Sequence, residues 1–196
     1  MLKKSTYKWL DLDAMCSMLI PDYEVVQIRY FTATLKRIPH KPGQEQRQQT
    51  YLRALTANLK INVHLGKFRV DPMWLPIYPW EYEVDGSPRK THIYKFEEKG
   101  SDVNLATHLI MDAMLDAADL YMVLTNDSDQ YEPLRMLSHV HQKNVGLILP
   151  GDNHSSKFRS LNLSRTLVLR EGVLASSQLP IEVRDKVGKI TKPISW

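Results

Sequence analysis

In Asp119-Leu-Tyr-Met-Val-Leu-Thr-Asn-Asp-Ser-Asp129, an apolar run from Leu120 to Leu124 gives way at once to five small polar residues carrying two carboxylates. The run has the length and composition of a strand buried on both faces. A helical pattern follows from about Tyr131 to Lys143, with Pro133 near its first turn, and Val145-Gly-Leu-Ile-Leu149 reads as a second buried strand. Upstream, another helix follows Lys99-Gly-Ser-Asp102; Val103, Ala106, Ile110, Ala113, Met114 and Ala117 form its apolar stripe, and Asn104, His108, Asp112 and Asp116 face away. Two successive helix–strand units predict a parallel sheet covered on both faces, hence an α/β fold.

In such a sheet ligands bind at the carboxyl ends of the strands. Asp127 and Asp129 stand at one of these ends, and Asp102, at the amino end of the preceding helix, can meet them at the same edge. Each acid has a structural explanation, because Asp and Ser cap helices and shape turns, and a carboxylate in a first turn is favoured by the helix dipole. Three converging carboxylates are harder to explain by capping, since packed like charges cost free energy unless a cation neutralises them. With the hydroxyls of Thr125 and Ser128 they make an oxygen-rich site suited to Mg²⁺ or Mn²⁺.

Outward from this core, Asp11 to Ile20 reads as a helix capped by Asp11, with Cys16 on its apolar face. Glu24 to Leu35 reads as a strand, Gln44 to Leu59 as an amphipathic helix burying Tyr51, Leu52, Leu55 and Leu59, and Ile61 to Val70 as a strand interrupted at Gly66. Residues 71–90 interleave four prolines with Trp74, Tyr78, Trp80 and Tyr82, which predicts an irregular excursion or edge hairpin inserted in a single domain spanning 1–196. Its aromatics could stack on unpaired bases or, as the favoured reading, pack the insertion onto the domain. His92 to Phe96 is strand-like. A C-terminal extension from about residue 153 holds a short helix near Ser156 to Leu161, a strand-like Thr166 to Leu169, and a tail that wraps the surface.

The chain has 196 residues, 26 Lys and Arg against 22 Asp and Glu, and a net charge of +4, which suits a polyanionic partner without requiring one. One cysteine excludes an internal disulfide and a cysteine zinc cluster, and no apolar run approaches the roughly 20 residues that span a bilayer, so no membrane partner and a cytoplasmic setting are expected. Glycine-rich nucleotide loops are absent. His139 and His141, two apart in a predicted helix, diverge rather than form a ligand pair, and His40, His64, His92, His108 and His154 are scattered. Lys36, Arg37, Lys41, Lys157 and Arg159 read as solvated charge.

Lys99-Gly-Ser-Asp102 before a helix, with Thr125-Asn-Asp-Ser-Asp129 about twenty residues on, resembles the NYN domain, the LabA-like and DUF88 branch of the PIN-like ribonuclease superfamily. Tyr7-Lys-Trp-Leu10, Tyr30-Phe-Thr-Ala33, Tyr51-Leu-Arg-Ala54 and Ser177-Gln-Leu-Pro180 also look like segments of bacterial members, so the resemblance covers nearly the whole chain. It implies a PIN-like, Rossmann-type α/β/α sandwich that hydrolyses RNA phosphodiester bonds with Mg²⁺ or Mn²⁺. Asp102, Asp127 and Asp129 would be the catalytic, metal-binding acids, with Thr125, Asn126, Ser128 and Lys99 toward substrate; Glu97 and Glu98 rank lower.

Family members open with a buried strand ending in an Asp, which supplies a first acid and the middle of the sheet. No such strand stands before Tyr7. Loss of a central strand would expose backbone groups on both neighbours, which favours a start that has been truncated over a degenerate protein. A homodimer would also cover such a gap. Two other readings stay open: a catalytically inactive RNA-binding or regulatory module, and a nuclease of the same architecture acting on DNA.

Overall fold

The computed structural model describes residues 5–36, 42–151 and 156–194. Arg37, His40, Lys41 and His154, and the chain start at issue above, lie outside them. In chain order the elements are α1 (Leu12–Leu19), β1 (Ile28–Ala33), α2 (Gln44–Thr56), β2 (Ile61–Pro76), β3 (Lys90–Lys99), α3 (Ser101–Met114), β4 (Tyr121–Leu124), α4 (Tyr131–Arg135, continued by a π turn Met136–Val140), β5 (Val145–Leu149), β6 (Arg165–Val168), α5 (Glu171–Ser176), β7 (Glu182–Arg184) and β8 (Lys189–Thr191).

Strands β4, β5 and β6 form the parallel sheet that the alternating units predict, each joined to the next through a crossover. Strand β5 is buried throughout, and its residues alternate between two cores. Ile148 joins a cluster with Trp9, Met15, Tyr51, Leu55 and Leu174, from α1, α2, α5 and the N-terminal segment. Leu147 and Leu149 join Leu109 and Ala113 of α3 and Leu134 of α4. Helices therefore cover both faces, and the architecture is Rossmann-like α/β.

A second sheet has the order β1-β2-β3, parallel between β1 and β2 and antiparallel between β2 and β3. Ile28, Tyr30 and Ile61 place it on the first of the two cores, and α3 packs against both β1 and β2. Among the described residues the two sheets share helices but no strand pairing, so β1 and β4 each have a strand on one side only. At the end of β1 the Gln48 side chain takes the place of a neighbour: its amide donates to Ala33 O (2.9 Å) and accepts from Leu35 N–H (2.8 Å).

The four segments that carry the resemblance meet at one place. Trp9 Nε1 donates to Pro180 O (2.8 Å), Leu179 N–H donates to Trp9 O (2.9 Å), and Leu10 bridges Gln178. Tyr51 donates to Leu10 O (2.8 Å) and meets the Tyr30 ring edge-on. These motifs are a packing clasp, remote in sequence and joined in space.

Several expectations are corrected. The first strand shrinks to six residues because only Ile28 to Ala33 find partners, at Ile61 to Gly66. Helix α2 stops at Thr56, so Leu59 is exposed and Ala54 takes its place in the core. The buried stripe of α3 is rotated: Leu109 and Ala113 are buried and Val103 is exposed, because His108 and Asp112 turn toward β1 and β2, where they find partners. Of the two forms expected for residues 71–90, an irregular excursion or an edge hairpin, the second is present, with Pro72 and Pro76 within β2 on a two-stranded ribbon whose outer edges need no donor. Its aromatics are exposed, Tyr78 at 92% and Trp74 at 64%, and do not pack it onto the domain. The tail forms the β7-β8 hairpin, with Ile190 buried in the core beside α2. No helix among the described residues is long and apolar enough to cross a membrane.

Candidate functional site

Two connections place the acidic residues. The first leads from β3 into α3. Gly100, at φ +92°, holds a left-handed conformation that L side chains rarely adopt and starts α3 with no side-chain cap. Gly66 of β2 passes so close that a Cβ there would stand 2.7 Å from Lys99 O and 2.8 Å from Ser101 Oγ. Ser101 donates to Glu98 Oε1, which fixes that carboxylate beside the helix start. Asp102 occupies the first turn, where the dipole favours a negative charge, and its side chain caps nothing among the described residues.

The second connection follows β4. Thr125 N–H still bonds to Ile148 O (3.2 Å), and the Thr125 hydroxyl then accepts from Asp127 N–H (3.0 Å). Asp127 Oδ1 accepts from Asp129 N–H (3.0 Å) and caps a 3-10 turn over Ser128 to Gln130. The capping explanation is thus right for one oxygen of Asp127 and silent on Asp129. Gln130 is 2% exposed; its Nε2 donates to Asp102 O (3.2 Å), tying the turn to α3, while its buried Oε1 has no partner among the described residues.

The acids share one field. The Asp102 carboxyl is pushed above the ordinary aspartate range, by burial first and then by the negative charges of Asp127, Glu98 and Asp129. No described basic side chain forms an ion pair with any of these four. Glu97 and Glu98 separate because successive strand residues face opposite ways: Glu97 is bound by Lys95 (2.5 Å) and Lys99 (3.1 Å), which hold its carboxyl low, whereas Glu98 joins the acids. Lys99 is thereby engaged by Glu97. Ser128 lies within the turn, and Asn126 sits next to it on the exposed side. Strand alternation was the signal that could have promoted Glu98; nothing in the sequence singled out Gln130.

A divalent cation suits this chemistry. All the donors are oxygens, no described basic side chain pairs with them, and a buried amide oxygen without a described partner belongs to the same turn. Among the described residues no three acidic, His or Cys side chains are drawn together into a finished metal-binding group, so the cluster is convergent rather than closed.

The histidine pair is not a site. His139 Nε2 accepts from Asn162 N–H (3.0 Å), an intrachain tie beside an open polar depression, and His141 lies past the end of the π turn. Lys157 and Arg159 are exposed on a 3-10 turn. Cys16 packs against the first core, and burial pushes its thiol up to about 11.

No protein-family model matches the chain. The 6-hydroxy-3-succinoylpyridine 3-monooxygenase HspA of Pseudomonas putida is 29% identical over an alignment of 222 residues, which covers all of this chain and 70% of that protein. The crystal structure of a Vibrio parahaemolyticus protein of unknown function aligns with a TM-score of 0.50 and 15% identity, over 83% of this chain and 80% of that one. That likeness is one of fold alone.

Proposed function

We propose that the chain is a PIN-like domain of NYN type and a metal-dependent ribonuclease, hydrolysing RNA phosphodiester bonds at Asp102, Asp127 and Asp129 with Glu98 as a fourth carboxylate. The observation that carries this reading is that Asp102 lies in the field of Asp127, Glu98 and Asp129 beside the end of β4, with none of the four ion-paired to a described basic side chain.

In this reading Asp102, Asp127, Asp129 and Glu98 would hold Mg²⁺ or Mn²⁺, which would supply Lewis acidity toward the scissile phosphate and activation of water. The chain's own contribution is placement. Gln130 holds the Asp127 turn against α3, Ser101 holds Glu98, and Thr125 fixes where the turn begins. Asn126 and Ser128 stand where they can orient a phosphate. The test is hydrolysis of a labelled single-stranded RNA with Mn²⁺, with a DNA of the same sequence alongside. Metal-dependent cleavage by the wild type, lost in Asp127→Asn, is expected; cleavage that survives the substitution would refute the site. RNA binding without hydrolysis would favour the inactive module, and preference for the DNA would favour the DNA nuclease.

The similarity to HspA, over all of this chain and 70% of that protein, supports a second reading, oxygenation of a hydroxypyridine. Incubation with 6-hydroxy-3-succinoylpyridine, O₂ and NADH, followed by mass spectrometry for incorporated oxygen, separates the two.

A further inference from the structure

Beyond the Gly66 contact, β2 and β3 leave the domain as a two-stranded arm, Lys67 to Pro76 paired with Lys90 to Lys99, closed by residues 77–89. Its ladder continues into the tip, where Ile77 N–H bonds to Arg89 O (3.0 Å) and Arg89 N–H to Glu81 O (2.8 Å). Ribbons of two strands are marginal in water unless one face is covered.

The two faces differ, because partners across an antiparallel pair share a side. From root to tip, one face carries the pairs Phe68–Glu98, Val70–Phe96, Pro72–Tyr94, Trp74–His92 and Pro76–Lys90. The other carries Lys67, Arg69 and Asp71 against Lys99, Glu97 and Lys95, then Met73 and Leu75. That second face satisfies most of its own charge, through Arg69–Asp71 (3.1 Å) and the Lys95–Glu97–Lys99 group. The first is apolar and aromatic, with Tyr94 67% and Trp74 64% exposed. Between Lys67 and Lys99 there are six basic and six acidic residues, so the arm has no net charge to draw a polyanion.

We infer that the aromatic face of the β2–β3 arm is a homodimer interface, in which two arms pack face to face and antiparallel about a two-fold axis at the Pro72–Tyr94 pair. The charges specify this arrangement. Glu98 at the root and Lys90 at the tip are on β3, on the same face, and at equal distance from that axis, and neither has an ion pair among the described residues. Reversal of one arm over the other keeps β3 above β3, and brings Glu98 of each copy to Lys90 of its partner, twice by symmetry. Phe96 meets His92 of the partner subunit, and the two Tyr94 rings meet at the centre. Ten paired positions make a ribbon about 33 Å long and roughly 10 Å wide. Two such faces bury on the order of 700 Å², and their Trp74, Tyr94, Phe68 and Phe96 side chains match the aromatic enrichment at the centre of a specific interface.

Sedimentation velocity of the full chain at tens of micromolar tests this, with circular dichroism to confirm folding. A dimer is expected, with Tyr94→Arg monomeric. Lys90→Glu and Glu98→Lys should each weaken dimerisation about tenfold or more, and the double variant should restore it, a readout independent of activity. A monomeric wild type, or a double variant no tighter than the single ones, would overturn the proposal. A monomer that binds single-stranded RNA and loses it in Tyr94→Arg would overturn it in favour of a nucleic-acid platform.

Discussion

The two ends of α3 hold two charge clusters that differ in one respect. At its start, Asp102 faces Asp127, Glu98 and Asp129 with no cation among them. Two to three turns later, Asp112 receives both nitrogens of the Arg29 fork, at 2.6 and 2.7 Å, and His64 and His108 pack beside that pair with their rings 4.2 Å apart. Both clusters put acids on one helix against strand residues. The inner one is balanced by Arg29 within the chain; in the outer one no acid is ion-paired to a described basic side chain. Uncompensated charge, more than the presence of acids, separates a candidate site from a structural ion pair.

The largest effect should come from exchanging carboxylates for amides at each end. Asp127→Asn is expected to reduce RNA hydrolysis by at least about 100-fold, the scale for removal of one preorganised charge from a reacting centre. Asp112→Asn, on the same helix side of the sheet but outside the cluster, should leave the rate per folded molecule within a few-fold. Equal losses in the two variants, measured as initial rates on labelled RNA, would erase the distinction.

How much of this was legible in the sequence depends on range. The acidic turn and the parallel β4-β5 pair follow from short-range patterns and are present as read; the strand expected over Leu120 to Leu124 as buried on both faces spans Tyr121 to Leu124 at a sheet edge, with Leu124 exposed. The Asp11 cap, whose Oδ1 accepts from Asp13 and Ala14 N–H at 3.0 and 3.1 Å, is equally local. The balanced cluster was not legible: Arg29 and Asp112 are 83 residues apart, and a helix pattern with apolar residues on most sides gives no reason to turn His108 and Asp112 inward. The clasp of Trp9, Tyr51 and Ser177 was visible only as four separate motifs, since pairing across some 170 residues leaves no periodic trace. The arm was half legible: its prolines exclude a central strand and left an irregular excursion or an edge hairpin open, and only the long-range β2–β3 pairing decides for the hairpin.

Next in size is the inner pair. Arg29→Met removes two charge-assisted hydrogen bonds and leaves a partly buried Asp112 alone, at a cost of about 1.5–3 kcal/mol. For a domain of this length that lowers Tm by roughly 3–10 °C in a thermal melt. The double variant Arg29→Met, Asp112→Leu should recover most of the loss, because an apolar pair of similar volume replaces a salt bridge at little cost. The outer cluster should answer with the opposite sign. Asp102→Asn relieves repulsion and should raise Tm by a few degrees without metal, while Mn²⁺ should raise Tm in the wild type and much less in the variant. A lower Tm for metal-free Asp102→Asn would mean that its carboxylate is structural after all.

The smallest effect, and the one that contrasts the clusters within a single molecule, is the pH dependence of stability. His64 is held below the usual histidine range, by burial first and then by the charges of His108 and Arg29, with Asp112 opposing. Its folded form binds a proton less readily than the unfolded chain, so the stability it contributes is present above about pH 6.5 and is lost as pH falls through the depressed folded value. Asp102 is shifted the other way: its charge costs stability at neutral pH, and that cost disappears as pH falls through the raised folded value toward the unfolded one near 3.9. The two windows open from opposite ends, one downward from about pH 6.5 and the other upward from about pH 3.9. Tm of the metal-free protein should therefore decline first below about pH 6.5, an effect blunted in His64→Leu, and near pH 4–5 the wild type should decline less steeply than Asp102→Asn. If His64→Leu follows the wild-type curve throughout, the inner cluster is not set by the contacts among His64, His108 and Arg29, and its balance must come from Arg29 and Asp112 alone.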